Sequence, residues 1–132
     1  MKIELRDYDW ICHCYVYGSD DVDEIERELV RLECGSDFFD SAMDMVESDK
    51  TDIGFCYTNM LFRESVIYIG NTENIYQLLN TMFHEFGHLA VNIADSNGID
   101  KDGEAFCYLI GDIGENASRF IISEIHSLIC AR

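Results

Sequence analysis

The sequence predicts a small α+β domain in which most strands precede most helices. Its 132 residues are enough for one compact domain and too few for two ordinary ones. Hydrophobic residues make up 48% of the chain and aromatic residues 12%, which is enough for a packed core. Segments with strand character come early and helical patterns late. We therefore expect residues 1–132 to form a single domain with about three N-terminal strands plus helices, rather than a doubly wound sheet.

The first third of the chain predicts one strand followed by two helices. "DWICHCYVYG" is rich in aromatic and β-branched residues, as is typical of a buried strand. "SDDVDEIERELVRLECG" has acidic residues near its start and Gly35 at its end, as expected for a helix. Its apolar residues recur at helical spacing, at Val22, Ile25, Leu29 and Leu32. A second, shorter helix is expected over Asp37–Glu47.

The middle of the chain predicts a β-hairpin. "DIGFCYTNM" and "SVIYIGN" have strand character, and the turn between them falls at Leu61–Glu64. The second of these strands directly precedes the longest predicted helix. It is either a central strand or an edge strand that can pair with an extended peptide.

The second half of the chain predicts three helices, over Asn74–Ser96, Gly103–Asp112 and Glu115–Cys130. In the first of these, a turn of 100° per residue gathers one apolar stripe that we expect to pack on the sheet. The stripe consists of Ile75, Leu79, Met82, Phe86, Leu89, Ala90 and Ile93. The opposite, polar face carries His84 and His88 together with Gln77, Thr81 and Asp95.

The charge of the chain limits the classes of partner. There are 26 acidic and 9 basic residues, for a net charge of −17. Such a field repels phosphate backbones and anionic membrane surfaces, so we expect no nucleic-acid and no membrane partner. The charge fits a soluble protein, and it also fits one that attracts basic partners.

The six cysteines predict an intracellular protein with reduced thiols. None belongs to a C-x-x-C pair, which argues against a zinc ribbon or a thioredoxin-like site. The N-terminus lacks the apolar core of a secretory signal, and no apolar run approaches the ~20 residues that span a membrane. We therefore expect a cytoplasmic location. In Cys12-His13-Cys14, strand geometry points His13 away from both thiols, which argues against a metal site there.

The segment "HEFGH" has the pattern H-E-x-x-H. His84 and His88 stand one helical turn apart, so both can bind one zinc ion at ~2.0–2.1 Å. A carboxylate from elsewhere would supply the third bond, and water would take the fourth position. Glu85, on the flank, can take a proton from that water as general base during attack on a carbonyl. The alternative is a pair of solvated histidines on a polar helix face.

The next predicted helix offers the third ligand. Its apolar side consists of Phe106, Leu109, Ile110 and Ile113. Glu104, Tyr108 and Gly111 lie on the other side, so Glu104 meets His84 and His88 if the two helices pack as an antiparallel pair. Other residues that can take this role are Asp95, Asp100, Asp102 and Cys107. His126, near the end of the last predicted helix, is expected to be solvated and to offset the helix dipole.

The motif and its surroundings resemble a known class of proteins. H-E-x-x-H followed by Glu on the next helix is similar to the gluzincin pattern of zinc metallopeptidases. More closely, "GFCYTNMLFRESVIYIG", "HEFGHLAVNIAD" and "GIDKDGEAFCYLIGDI" resemble small H-E-x-x-H proteins that bacteriophages and prophages of gut bacteria encode. This resemblance covers about residues 50–115. It implies a zincin-like domain, His84, His88 and Glu104 as ligands of Zn2+, and Glu85 as general base.

The chain departs from the gluzincin pattern four residues after Glu104. Many gluzincins carry an aspartate there that orients a histidine, whereas this chain has Tyr108. Tyr108 can hydrogen-bond a ligand or stabilise an oxyanion, and it can equally be a packed aromatic residue. Asp112, one turn further, is another candidate for orienting a ligand.

These observations together predict a zinc-dependent hydrolase, a small metallopeptidase that cleaves peptide bonds with zinc-activated water and Glu85 as general base. The charge favours a basic peptide or protein substrate, and a phage-encoded protein would act in the host cytosol. The alternative is a non-catalytic, acidic interaction or inhibitor protein with a structural zinc site. Such a site has no need of a general base.

Overall fold

The computed structural model describes residues 1–17, 20–48 and 50–130. The strands are β1 (Lys2–Leu5), β2 (Trp10–Val16), β3 (Gly54–Asn59) and β4 (Glu64–Ile69). The helices are α1 (Val22–Arg31), α2 (Ser36–Val46), α3 (Ile75–Asn97) and α4 (Glu104–Cys130), and a single 3-10 turn covers Arg6–Tyr8. The predicted α+β class is confirmed.

The four strands form one mixed sheet in the order β1-β2-β4-β3. β1 pairs antiparallel with β2, β2 pairs parallel with β4, and β3 pairs antiparallel with β4. The predicted hairpin is therefore present, with Gly54 opposite Ile69 and Asn59 opposite Glu64. β4 is a central strand and β3 an edge strand. β1 was not predicted, because four residues that alternate between exposed and buried give too weak a pattern.

Helices cover both faces of the sheet because side chains alternate along each strand. In β2, Cys12 and Cys14 face α3 and α4, whereas Tyr15 faces α1 and α2. The centre of the first core consists of Ile67, Ile69, Leu78, Leu89, Ile93 and Leu109. The centre of the second consists of Ile25, Leu29, Leu32, Ala42, Val66 and Tyr68. The two layers hold the sheet rigid beneath α3.

The last two predicted helices are one continuous helix, α4, so the break expected near residue 113 is wrong. Gly111 and Gly114 lie at this position. A glycine inside a helix costs only about 1 kcal/mol relative to alanine. The buried stripe continues past both glycines, through Leu109, Ile113, Ala117 and Ile121. The burial of this stripe outweighs the cost of the glycines.

The stretch Cys12-His13-Cys14 is arranged as its strand pattern predicts. Both cysteines are completely buried in the first core, and burial raises the pKa of the Cys14 thiol to about 12. His13 lies on the opposite face, where its Nε2 is 3.0 Å from Oε1 of Glu64. The three residues therefore do not form a metal site. Of the other cysteines, Cys34 and Cys56 are half-buried and Cys107 and Cys130 are exposed.

No helix in the described part of the chain is long and apolar enough to cross a membrane. The longest, α4, has acidic, basic and polar residues at intervals along its length, among them Asp112, Glu115 and Arg119. Leu109 and Ile113 belong to the core that α4 shares with α3 and the sheet, whereas Ile110, Ile122 and Ile129 are exposed.

An ionic cluster joins α1 to the sheet. Arg31 donates to both carboxylate oxygens of Glu64, at 3.0 and 2.8 Å, and to Glu28 at 2.6 Å. His13 lies against the same Glu64 carboxylate. The hydrogen bonds from Arg31, with a contribution from His13, lower the pKa of Glu64 to about 2. Protonation of Glu64 at low pH therefore weakens the ion pair that attaches α1 to the sheet.

We predict that Glu64→Gln lowers the free energy of unfolding by about 1 kcal/mol at neutral pH. The full shift of Glu64 from its usual value of 4.5 to about 2 corresponds to ~3 kcal/mol, but the Arg31 side chain is 44% exposed and water screens the pair. Because the folded-state pKa is lowered, the stabilisation is complete above pH ~4.5 and disappears as the pH falls towards 2. Urea unfolding between pH 7 and 2 measures it.

Glu26→Gln is the matched control, since it removes the same charge from an exposed site on α1. The difference in the free energy of unfolding between the Glu64→Gln variant and the wild type should decrease as the pH falls from 4.5 to 2. A difference that stays constant over this range would contradict the assignment.

Candidate metal centre

The two histidines of the motif are presented by α3, whose two ends are defined by local structure. Asn74 caps the N-terminus, where its side chain accepts a hydrogen bond of 3.0 Å from the backbone N–H of Gln77. Gly98 ends the helix in a left-handed conformation, with φ of 66°. Between these caps the helix is uninterrupted, so His84 and His88 lie one turn apart and both are exposed, as predicted.

The donor atoms of the two histidines converge on one point. His84 Nε2 and His88 Nε2 are 3.3 Å apart, and the ring planes meet at 79°. Two nitrogens bound to one tetrahedral zinc ion at ~2.0–2.1 Å would be separated by about 3.3 Å. The pair therefore has the separation that a shared zinc ion requires.

Glu85 completes the only such cluster of candidate metal-binding groups in the described residues. One of its carboxylate oxygens lies within 4.8 Å of one ring nitrogen of His84 and one of His88. The residue is only 5% exposed, and burial raises the pKa of its carboxyl, while His84 and His88 act in the opposite direction. A carboxylate with a raised pKa is a stronger proton acceptor, which suits a general base.

The edge strand β3 lies against the Glu85 side of α3. A Cβ atom at Gly54 would be 2.6 Å from the backbone oxygen of Tyr68, 3.0 Å from Thr81 and 3.2 Å from Glu85. Further along, Asn92 donates to the Thr58 hydroxyl at 3.0 Å. Contact with β3 also buries Thr81, which the sequence placed on the polar face. The helix packs this closely because residue 54 has no side chain.

A cavity of about 320 Å³ opens beside the motif. His84, Glu85 and Thr81 form one wall, from α3, and Asp52 lies opposite, in the segment that leads into β3. Asp52 Oδ1 accepts a hydrogen bond of 2.9 Å from the Thr81 hydroxyl. Sequence reasoning missed Asp52. Nothing in its spacing from the motif indicates this contact, which depends on the packing of β3 against α3.

Glu104 does not join this group. Residues 98–103 connect α3 to α4, and the two helices pack side by side in opposite directions. The first residue of α4 therefore lies level with the end of α3, near Asn97. At 1.5 Å per residue, His88 is about 13.5 Å further back along α3. For Glu104 to contact the histidines as expected, it would have to lie about two turns or more further along α4.

The other candidates on α4 are exposed or have other partners. The Tyr108 side chain is 66% exposed and, like Glu104, belongs to the first turns of α4. The Asp112 carboxylate accepts a hydrogen bond of 2.9 Å from the Tyr8 hydroxyl, on the side of β1. Gly111 makes no close helix contact, since nothing lies within 4 Å of a Cβ placed there.

The alternative ligands at the end of α3 and in the α3–α4 connection make local contacts. Asp95 forms an ion pair with Lys101, and Asp100 Oδ1 accepts a hydrogen bond of 2.9 Å from the backbone N–H of Asp102. Cys107 is exposed on α4 and is not part of the cluster. His126 is exposed near the end of α4, as predicted, with its Nε2 3.4 Å from Cys130 Sγ.

The chain matches no protein-family model, no curated protein and no solved structure. The resemblance to small H-E-x-x-H proteins therefore stays a prediction. The support for this site is the local geometry of His84, Glu85 and His88.

We predict that Gly54→Ala destabilises the fold by about 1–3 kcal/mol, because the new methyl group would overlap the backbone oxygen of Tyr68 and push against Glu85. Gly111→Ala is the matched control. It adds the same atom to a helix interior with open space and should stabilise the fold by about 0.5–1 kcal/mol. Thermal unfolding of both variants measures these effects, and a neutral Gly54→Ala would show that β3 and α3 are not in this close contact.

Proposed function

We propose that this chain is a zinc-dependent hydrolase, a small metallopeptidase in which His84 and His88 bind the metal and Glu85 is the general base. One observation carries the proposal. The two Nε2 atoms are 3.3 Å apart, and an oxygen of the buried Glu85 carboxylate lies within 4.8 Å of one ring nitrogen of each histidine. A hydrogen bond between two neutral imidazole rings also gives a separation of 3.3 Å, but it does not require the buried carboxyl group of Glu85 beside it.

The chemistry expected of each group follows from its position. Zinc, when bound, acts as a Lewis acid that polarises a carbonyl group and lowers the pKa of water to about 7. Glu85 would take a proton from the attacking water and pass it to the leaving nitrogen as the peptide bond breaks. Burial suits Glu85 to both transfers, because a carboxyl with a raised pKa accepts the proton readily and holds it until the amine leaves.

The edge strand supports a peptide as the substrate. β3 is the last strand of the sheet in the described residues and lies directly against the part of α3 that carries Thr81 and Glu85. The outer backbone groups of an edge strand can pair with an extended peptide, which adds as another strand. A peptide bound along β3 would pass the motif with its backbone extended.

This arrangement also supports a zincin-like fold as part of the proposal. The H-E-x-x-H helix follows a central strand, β4, and packs along an antiparallel edge strand, β3. The arrangement differs from the gluzincin pattern because Glu104 is not part of the group formed by His84, Glu85 and His88. Two histidines leave two positions of a tetrahedral site to other donors.

Metal content tests the first part of the proposal. Chain purified without chelators should carry about one zinc per molecule by elemental mass spectrometry. His84→Ala should abolish this zinc, since one histidine alone binds too weakly. His126→Ala is the matched control, because that histidine is exposed on α4 outside the cluster, and it should retain the metal. Zinc-free wild type after incubation with zinc at neutral pH would refute the site.

Glu85→Gln tests whether the site is catalytic. The variant should retain zinc but lose hydrolysis of a peptide library by a factor of about 100 or more, because the amide cannot accept the proton. Full activity in Glu85→Gln would rule out the general base, and no hydrolysis by the zinc-loaded wild type would favour a structural zinc site.

Glu104→Gln is the control that the helix arrangement supplies. The backbone of Glu104 lies about 13.5 Å along the hairpin from His88, so we expect both zinc content and hydrolysis to be unchanged. Loss of zinc in this variant would instead support the ligand set that the sequence predicts and would contradict the pairing of α3 with α4.

A further inference from the structure

We propose that the cavity beside the motif binds an ammonium group of the substrate, with the Asp52 carboxylate as its counter-ion. This inference rests on the proposed function, since it assigns a substrate class to the same site. It gives the general preference for basic peptides, expected from a net charge of −17, a definite location.

Apart from His84, the ionisable side chains that line the cavity are acidic. Asp52 and Glu85 contribute carboxyl groups, and the other residues around the cavity are polar or apolar, with no lysine or arginine among them. Within residues 1–17, 20–48 and 50–130, Asp52 forms no ion pair. Asp52 is exposed at the open side of this cavity, and a cleft lined by carboxylates favours a cation over a neutral or anionic group.

Asp52 is held in position before any ligand arrives. Its backbone is left-handed, with φ of 60°, which is uncommon for a residue with a side chain. Its N–H donates to the backbone oxygen of Asn71 at 2.9 Å, and its Oδ1 accepts from the Thr81 hydroxyl at 2.9 Å. These contacts use one carboxylate oxygen and leave Oδ2 as an acceptor for a further donor.

The remaining walls suit an alkyl chain that ends in an ammonium group. Met45 and Ile53 contribute apolar surface on the same cavity that Asp52 and Asn80 make polar. A lysine side chain has this division, with apolar methylene groups and a charged end. A peptide amino terminus also carries an ammonium group, so these two sources need to be distinguished.

Titration of isotope-labelled full-length protein by nuclear magnetic resonance tests the proposal, with and without zinc. The three ligands are doubly blocked lysine, doubly blocked norleucine, and norleucine amide with a free amino group. The amide signals of Gly54 and Thr81 report on the cavity. The lysine derivative should bind about fivefold more tightly than blocked norleucine, as expected for one partly exposed ion pair. Tighter binding of the free amine would assign the cavity to an amino terminus instead.

Asp52→Asn should remove this preference, whereas Asp102→Asn, which removes the same charge from the exposed α3–α4 connection, should leave it intact. Equal binding of charged and neutral ligands, no shift of Gly54 and Thr81 with any ligand, or an unchanged preference in Asp52→Asn would overturn the inference. The metal-free arm separates this outcome from the proposed function. If the protein fails to bind zinc but still prefers the ammonium ligand, the proposed hydrolase would be refuted and the cation site would stand.

Discussion

The packing of α3 against the sheet is the contact on which the rest of the structure depends. Leu89 and Ile93 are completely buried against the central strand residues Ile67 and Ile69. Full burial of each such side chain contributes about 1.5–3 kcal/mol, so this stripe determines how the helix is rotated about its axis. Once this rotation is set, His84 and His88 must face outward, and Glu85 must face the edge strand β3.

The burial of Glu85 lowers the stability of the fold but makes its carboxylate a better proton acceptor. Burying a carboxyl group raises the free energy of its ionised form, which is why the pKa of Glu85 is raised. The fold accepts this cost where β3 and α3 approach most closely, at Gly54. On the other side of α3, α4 buries the apolar surface that the sheet does not reach. It packs against the motif helix, and none of its described residues belongs to the group formed by His84, Glu85 and His88.

Four features lie at the same edge of the sheet. They are the histidine pair, the buried carboxyl group of Glu85, the edge strand β3 and the cavity that Asp52 lines. Asp52 and Thr81 connect two of these features, because their hydrogen bond ties the start of β3 to the helix that carries the motif. A substrate bound along β3 would therefore lie against elements that are already fixed to one another. Pre-organisation of this kind lowers the entropy that binding costs.

The sequence by itself determined the features that follow from the local geometry of one helix or strand. The spacing of His84 and His88, their position opposite the apolar stripe, and the opposed directions of His13 and its neighbouring cysteines all follow from 100° or 180° per residue. It also indicated the hairpin of β3 and β4. Tertiary structure decided which residues distant in sequence meet. Three features depend on how whole elements align: the level of Glu104 along α3, the continuity of α4 past its glycines, and the contact of Asp52 with Thr81. That alignment is set by the burial of side chains across the entire core.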